Sequence, residues 1–313
     1  MNRVRGNFIK RQSTRIDKRI DMDISVIIIN YNTRELTGSC LDSIFEYTTG
    51  VSFEVILVDN ASTDGSKDHF KKDSRIVFVE SESNLGFGRA NNLGATYASG
   101  EYYLFLNSDT LLKNNALKIF LDAARCCPEV SVGGMGCLLQ DEQGNILHSF
   151  GSFTTPVGIV TDYIKSLLRL KTERKRLEVL PGEVDYICGA DLFIPRKVFN
   201  MLGGFDPTFF MYYEENDLQR RMALAGYKRY IIDGPSIIHL EGASYRAITS
   251  RKTSSKRINS DSSLFKYIKK YYSPAVYVFF RSIYAVFRMA ALFNISYSFK
   301  ERMHYINFLL FGK

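Results

Sequence analysis

ISVIIINYNT at 24–33, FEVILVDNASTDG at 53–65 and YYLFLNSDT at 102–110 share one plan, a β-branched or aromatic apolar run that ends abruptly in Asn, Asp, Ser or Thr. The runs predict strands over Ile24–Ile29, Phe53–Val58 and Tyr102–Leu106, with a shorter one over Ile76–Val79. Between them, Glu35–Tyr47, Ser66–Lys72 and Phe87–Ala98 space their apolar residues as helices do. The first 110 residues therefore read β-α-β-α-β-α-β, which predicts an α/β fold with a mostly parallel, doubly wound sheet. In such sheets ligands lie outside the carboxyl ends of the strands, where this chain has Asn30-Tyr31-Asn32, Asp59-Asn60 and Asn107-Ser108-Asp109.

Outward from that core, a helix is expected from about Thr110 to Arg125 and a hairpin turn at Asp141–Gly144 between Met135–Gln140 and Ile146–Phe150. Tyr230–Ile238 reads as one apolar strand. The run KTERKRLE at 171–178 reads as a solvated helix or loop without a role, and the polar, Ser-rich stretch 246–263 as a linker. Four segments result: a basic extension over 1–23, a domain over 24–245 split near 110 into two halves, the linker, and a tail over 264–313.

The chain has 313 residues, 45% hydrophobic and 24% charged, which excludes wholesale disorder and a polytopic membrane protein. Its five cysteines are scattered without a CxxC pair or zinc spacing, and no apolar run opens the sequence, so a reducing, cytoplasmic location is expected. The net charge of +8 divides into +4 over 1–23, −7 over 24–245 and +11 over 246–313. In the tail, Tyr267, Tyr271, Tyr272, Tyr277, Phe280, Tyr284 and Phe287 alternate with Lys266, Lys269, Lys270, Arg281 and Arg288. That pattern suits an amphipathic helix lying on an anionic membrane surface. The alternatives are a spanning helix, opposed by Arg281 and Arg288 within it, and a helix packed on the protein's own core. RNP, KH and zinc-knuckle patterns are missing, and nucleic acid is not expected as a partner.

Asp59 reads either as a plain strand exit or, with Tyr31 on the neighbouring strand end, as the acceptor beside an aromatic face that a pyrimidine nucleotide needs. No GxGxxG follows the first strand and no GxxxxGK[ST] occurs, which disfavours NAD and ATP. Asp109 reads as a helix N-cap, as a ligand for Mg2+ or Mn2+ in a diphosphate cleft, or as both. His239, after an apolar strand, is a structural histidine or a second ligand. In GGFDPTFFMYYEENDLQRR at 203–221, Glu214, Glu215 and Asp217 favour the positive end of a helix dipole, with Asp217 and Arg221 an i,i+4 pair. Two adjacent carboxylates beside aromatic residues also suit a general base, because like-charge proximity and burial raise the pKa.

With VIIINYN at 26–32, VDNASTDGS at 58–66, NLGFGRANNLG at 84–94, LNSDT at 106–110, GGFDPTFFMYYEENDLQRR at 203–221 and HLEGAS at 239–244, the chain resembles the family 2 glycosyltransferases, in particular the bacterial rhamnosyltransferase-like branch. The resemblance covers about residues 24–245 and implies a GT-A nucleotide-diphospho-sugar transferase fold and an inverting, metal-dependent sugar transfer. It implies a nucleobase pocket at Asn30, Tyr31, Asn32 and Asp59, a ribose and sugar region at Asn84, Gly86 and Asn92, and a donor–acceptor border at Gly189-Ala190. Asn107, Ser108 and Asp109 stand at the family's DxD motif, Asn107 replacing its first Asp. Asp109 and His239 are thereby implied as ligands of Mg2+ or Mn2+, and Glu215, or Glu214 beside it, as the base, with Asp217 counted among the catalytic acids. The expected donor is dTDP-rhamnose or otherwise a UDP-hexose, and the expected acceptor a lipid-linked or polysaccharide glycan in bacterial surface synthesis at the inner face of the membrane. The competing expectation is a binding protein on the membrane surface whose transferase-like domain has lost its chemistry, motivated by Asn107 and Glu215 standing where the family has Asp.

Overall fold

The computed structural model describes residues 22–126, 131–168, 170, 180–240, 255–289 and 297–311. Strands β1 (Ile24–Asn30), β2 (Phe53–Asp59), β3 (Val77–Glu80) and β4 (Tyr102–Asn107) form where the apolar runs predict them. They lie parallel in the order β3-β2-β1-β4, joined by α1 (Arg34–Tyr47), α2 (Ser66–Phe70) and α3 (Phe87–Ala95). Side chains alternate across the strands, so Val26 and Ile28 pack with Leu41 and Ile44 of α1, while Ile27 packs with Ile56, Val58 and Ala90 of α3 on the other face. The winding direction reverses between β1 and β4, which leaves a crevice at their carboxyl ends.

The second half extends the sheet less regularly. In chain order come β5 (Thr110–Leu112), α4 (Ala116–Cys126), β6 (Val132–Gly136), β7 (Phe150–Gly151), α5 (Pro156–Leu167), β8 (Gly182–Val184), β9 (Tyr186–Ile187) and β10 (Asp191–Pro195). Then follow α6 (Arg196–Met201), α7 (Glu214–Leu224), β11 (Lys228–Ile231) and β12 (Ile237–His239). Strand β10 runs antiparallel to both β4 and β6, β11 is parallel to β6, and β8 closes the eight-stranded sheet antiparallel to β11.

Two expectations change here for one reason. Thr110–Leu112 is a strand rather than the start of a helix, and Tyr230–Ile238 is two strands separated by a turn at Gly234, whose φ is +104°. Pairing between β5 and β12, with Ile237 opposite Leu112 and His239 opposite Thr110, buries apolar side chains that neither segment could bury alone. The turn at 141–144 is present, closed by hydrogen bonds from Asn145 to Asp141 and from Gly144 N to Asp141 O, but it carries only a bridge from Gln140 to Ile146 rather than two full strands. The run 171–178 lies outside the described residues.

The C-terminal part forms α8 (Ser255–Tyr271), α9 (Pro274–Arg288) and α10 (Phe299–Phe311). Helix α8 begins inside the stretch expected as a linker. The tail makes its own core, in which Leu264, Phe265, Tyr267 and Ile268 meet Phe280, Tyr284, Tyr305 and Leu309 beside Phe209. Buried Asp261 accepts hydrogen bonds from the hydroxyls of Tyr284 (2.7 Å) and Tyr305 (2.5 Å), and Arg288 reaches Tyr284 and Asp261. The basic and aromatic residues expected to face a membrane are thus partly consumed by packing on the protein itself. No helix among the described residues is long and apolar enough to cross a membrane. Helices α5 and α9, which stack Tyr163 on Phe287, still expose apolar residues, Val157 at 72% and Phe279 at 70% among them.

Candidate active site

At the crevice between β1 and β4, the side chains of VIIINYN and VDNASTDG build a shared floor. Asn30 is fully buried: its Nδ2 donates to Asp59 Oδ1 (2.8 Å) and Ser62 Oγ (2.9 Å), and its Oδ1 accepts from the Thr33 and Thr37 hydroxyls. Asp59 Oδ2 accepts from Ser62 N at 3.1 Å. Asn32 holds a left-handed φ of +55° and accepts from Thr63 N at 2.6 Å. Asn30 therefore shapes the expected base pocket from beneath, while Tyr31 and Asn32 are half-buried at its surface. Asn60, named at the strand end with Asp59 but given no role of its own, accepts from Leu85 N at 2.8 Å and donates to Asn84 Oδ1 at 3.1 Å, tying the second strand end to NLGFG. Its place beside Asp59 was the available signal.

The segment NLGFGRANN locks onto the loop before α7. Gly86 has φ +78°, and a Cβ there would lie 1.9 Å from Phe210 O, the acceptor of Phe87 N. Asn92 forms a two-way clasp with the Phe205 backbone, donating to its O (2.7 Å) and accepting from its N (2.9 Å). Asn92 thus ties α3 to the loop before α7.

Asn107, Asp109 and His239 converge, because β5 and β12 pair directly after the β4 end. His239 Nε2 lies 3.3 Å from Asp109 Oδ1 and 3.5 Å from Asn107 Nδ2. The His239 and Asp109 side chains are both almost buried. Ser108, also buried, lies 3.3 Å from the Thr33 hydroxyl and belongs to the floor. One carboxylate and one imidazole fit a divalent ion that takes few protein ligands and completes its shell from diphosphate and water. Among the described residues no group of three or more His, Cys, Asp or Glu could hold a metal by itself. Asn107 N donates to Ala190 O at 3.0 Å, which fixes Gly189-Ala190 against this strand end.

Across Gly189 stands α7. A Cβ on Gly189 would lie 3.7 Å from Glu215 Cβ. Glu214 is 4% exposed and Glu215 half-buried, and the Oε2 atom of each has no hydrogen-bond partner. Burial, reinforced by the neighbouring Glu215, holds the Glu214 carboxyl well above the usual carboxylate range, and burial raises Glu215 as well. The pair is aimed by an unusual entry: Tyr212 and Tyr213, immediately ahead of α7, both hold φ +69°. That left-handed region costs a bulky residue about 1–3 kcal/mol and persists only where the surroundings enforce it.

Asp217, expected to join the catalytic acids, has other partners. It is 0% exposed; Oδ2 meets Arg221 Nε (2.9 Å), and Oδ1 meets Lys270 Nζ (2.6 Å) and the Tyr271 hydroxyl (2.7 Å). The i,i+4 pair with Arg221 is present as anticipated, whereas Lys270 and Tyr271 come from α8, which no local pattern could have indicated. Glu214 and Glu215 face the crevice border at Gly88 and Gly189, and Asp217 faces the tail.

Residues 25–199 match the family profile described as glycosyl transferase family 2. The N-acetylglucosaminyl-diphospho-decaprenol L-rhamnosyltransferase of Mycobacterium tuberculosis is 25% identical over 203 residues, which cover 59% of this chain and 66% of that one. The rhamnosyltransferase WbbL of Escherichia coli is 28% identical over 176 residues, covering 53% of this chain and 65% of that one. The chain thus spans just under two thirds of the length of both relatives. Among solved structures, the mannosyltransferase PcManGT of Pyrobaculum calidifontis, in complex with GDP-Man and Mn2+, superposes with a TM-score of 0.53 at 18% identity, over 92% of this chain and 79% of that one. That likeness carries the GT-A fold.

Proposed function

The chain belongs to glycosyl transferase family 2, and from that membership and the geometry above we propose an inverting glycosyltransferase in which Glu215 is the base. The observation that carries the proposal is a pair of adjacent glutamates with raised carboxyls, each with an Oε2 atom that has no hydrogen-bond partner, standing beside Gly189, whose neighbour Ala190 binds the strand end at Asn107. Burial raises both carboxyls, that of Glu214 further through its neighbour Glu215, and so suits the pair to take up a proton. Glu215 takes the proton of the acceptor hydroxyl as that oxygen bonds to the anomeric carbon. The bond from that carbon to the diphosphate oxygen breaks with its electron pair on the diphosphate, and one displacement inverts the configuration. Tyr31, Asn32 and Asp59 hold the nucleotide base, with Asn84 and Gly86 toward the sugar. A divalent cation, Mg2+ or Mn2+, held by Asp109 and His239, would offset the charge that develops on the leaving diphosphate.

The two rhamnosyltransferase relatives support dTDP-rhamnose as donor, ahead of a UDP-hexose, and the mycobacterial one supports a lipid-linked diphosphate glycan as acceptor. Such an acceptor calls for peripheral membrane contact. The exposed apolar residues of α5 and α9 and the +11 charge of residues 246–313 support contact with an anionic surface.

The test is calorimetric titration of dTDP-, UDP- and GDP-sugars onto the purified protein with and without Mn2+ or Mg2+. Metal-dependent binding of dTDP-rhamnose is expected, and Asp109→Ala and His239→Ala should each weaken it by about tenfold or more. Folded protein that binds none of the donors in either condition would sink the transferase reading and favour a binding protein.

A further inference from the structure

The Phe205–Tyr213 loop is held at points well spread along the chain. From the domain itself, Asn92 clasps Phe205, Phe87 N donates to Phe210 O, and just ahead of the loop Arg221 donates to Leu202 O and Gly204 O at 2.7 and 2.8 Å. From the tail, Lys266 Nζ donates to Thr208 O (2.7 Å), Ser263 Oγ to Met211 O (2.8 Å), and the Tyr267 ring packs on Tyr213 with centroids 5.5 Å apart. Lys270 Nζ bridges Asp206 Oδ2 and Asp217 Oδ1, both at 2.6 Å, and so links the start of the loop to the first turn of α7. Those two carboxylates flank the segment that contains the left-handed Tyr212-Tyr213 turn and both raised glutamates. A turn that is unfavourable for tyrosine keeps its geometry only while its ends are pinned.

We propose that α8 is a working part of the transfer site rather than an appended tail: Lys270, by joining Asp206 to Asp217, is a positioning residue that keeps Glu214 and Glu215 aimed at the crevice. This rests on the reading of Glu215 as the base. The ammonium group is suited to the task because it can donate to both carboxylates at once, and Asp217, fully buried, would otherwise keep only Arg221 and Tyr271.

The full-length chain is tested as Lys270→Met, with Lys270→Arg as the conservative variant and exposed Lys269→Met as the control on the same helix turn. Two readouts are used: hydrogen exchange of backbone amides over 206–217 against those of β1 and β4, and release of dTDP from dTDP-rhamnose to water, counted per donor-binding site. Lys270→Met should speed exchange over 206–217 by about tenfold while the sheet stays protected. It should also lower kcat by about tenfold with donor KM unchanged, and the Arg variant should restore most of both. A merely structural lysine would reduce the fraction of binding-competent protein and leave kcat per site as it was. Unchanged exchange over 206–217 overturns the inference whatever the activity, as does normal kcat per site in Lys270→Met while Glu215→Gln is inactive. Full turnover by Glu215→Gln alongside faster exchange in Lys270→Met would instead overturn the reading of Glu215 as the base.

Discussion

Glu214 and Glu215 at the start of α7 and the Asp206–Asp217 pair around them are all carboxylates within 12 positions of chain, yet the fold treats them in opposite ways. The aspartates are saturated. Asp217 meets Arg221, Lys270 and Tyr271, while Asp206, although burial alone would raise it, is brought down to about 2 chiefly by Lys270 and the Thr208 backbone. The glutamates are buried beside each other, each with an oxygen that has no donor, and both are raised. Partnered acids hold structure, because their charge is already satisfied and protonation is costly to the fold. Unpartnered acids are primed for proton transfer, because the charge they carry is destabilised until a proton arrives. The difference lies in what reaches each carboxylate and not in the type of residue.

The contrast can be broken most directly at Glu215. Glu215→Gln should lower kcat by about 10²-fold or more with donor KM little changed, and near-normal turnover there would move the base to Glu214. Asp217→Ala should instead cost stability, about 2 kcal/mol in denaturant unfolding, because Arg221 and Lys270 lose a buried counter-ion. A stability loss for Glu215→Gln as large as that of Asp217→Ala would erase the distinction between the two pairs.

The remaining tests use pH and are smaller. Because the folded Glu214 carboxyl is raised above 4.5, the native state binds the extra proton, and stability declines as pH rises from that value through the folded pKa. Glu214→Gln removes that decline, so its Tm relative to wild type should climb as pH rises above about 4.5. Asp206 has the reverse sign. Its stabilisation is present above 3.8 and lost as pH falls through about 2, so Asp206→Asn should cost about 1 kcal/mol at pH 6, with the gap closing below about pH 4. Parallel pH trends for the two variants would contradict the opposite treatment of the acids.

Much of this was legible from local pattern. The four parallel strands follow from β-branched runs with alternating burial, and the polar strand ends at Asn30, Asp59 and Asn107 from the rule that such sheets bind at their carboxyl edge. The acidic start of α7 and the Asp217–Arg221 pair were equally visible, since both lie within one or two helix turns. Thr110–Leu112 and Tyr230–Ile238 were misread because strand pairing between segments more than a hundred residues apart decides their conformation, and no local window contains that partner. The tail's basic aromatic composition indicated an amphipathic helix, but composition is the same whether a tyrosine faces lipid or, like Tyr284 and Tyr305, donates to a buried aspartate.

The sequence by itself determined the winding of the first half of the sheet, the family resemblance and the list of side chains able to carry charge, because periodicity, turn residues and motif spacing are local properties. Only the tertiary structure decided which of those side chains are partnered. His239 meets Asp109 across the β5–β12 pairing, and Lys270 comes back to Asp217 on a separate helix. Whether a carboxylate becomes a ligand, a brace or a base depends on burial and on donors within about 3 Å, and those are set by contacts between residues far apart along the chain.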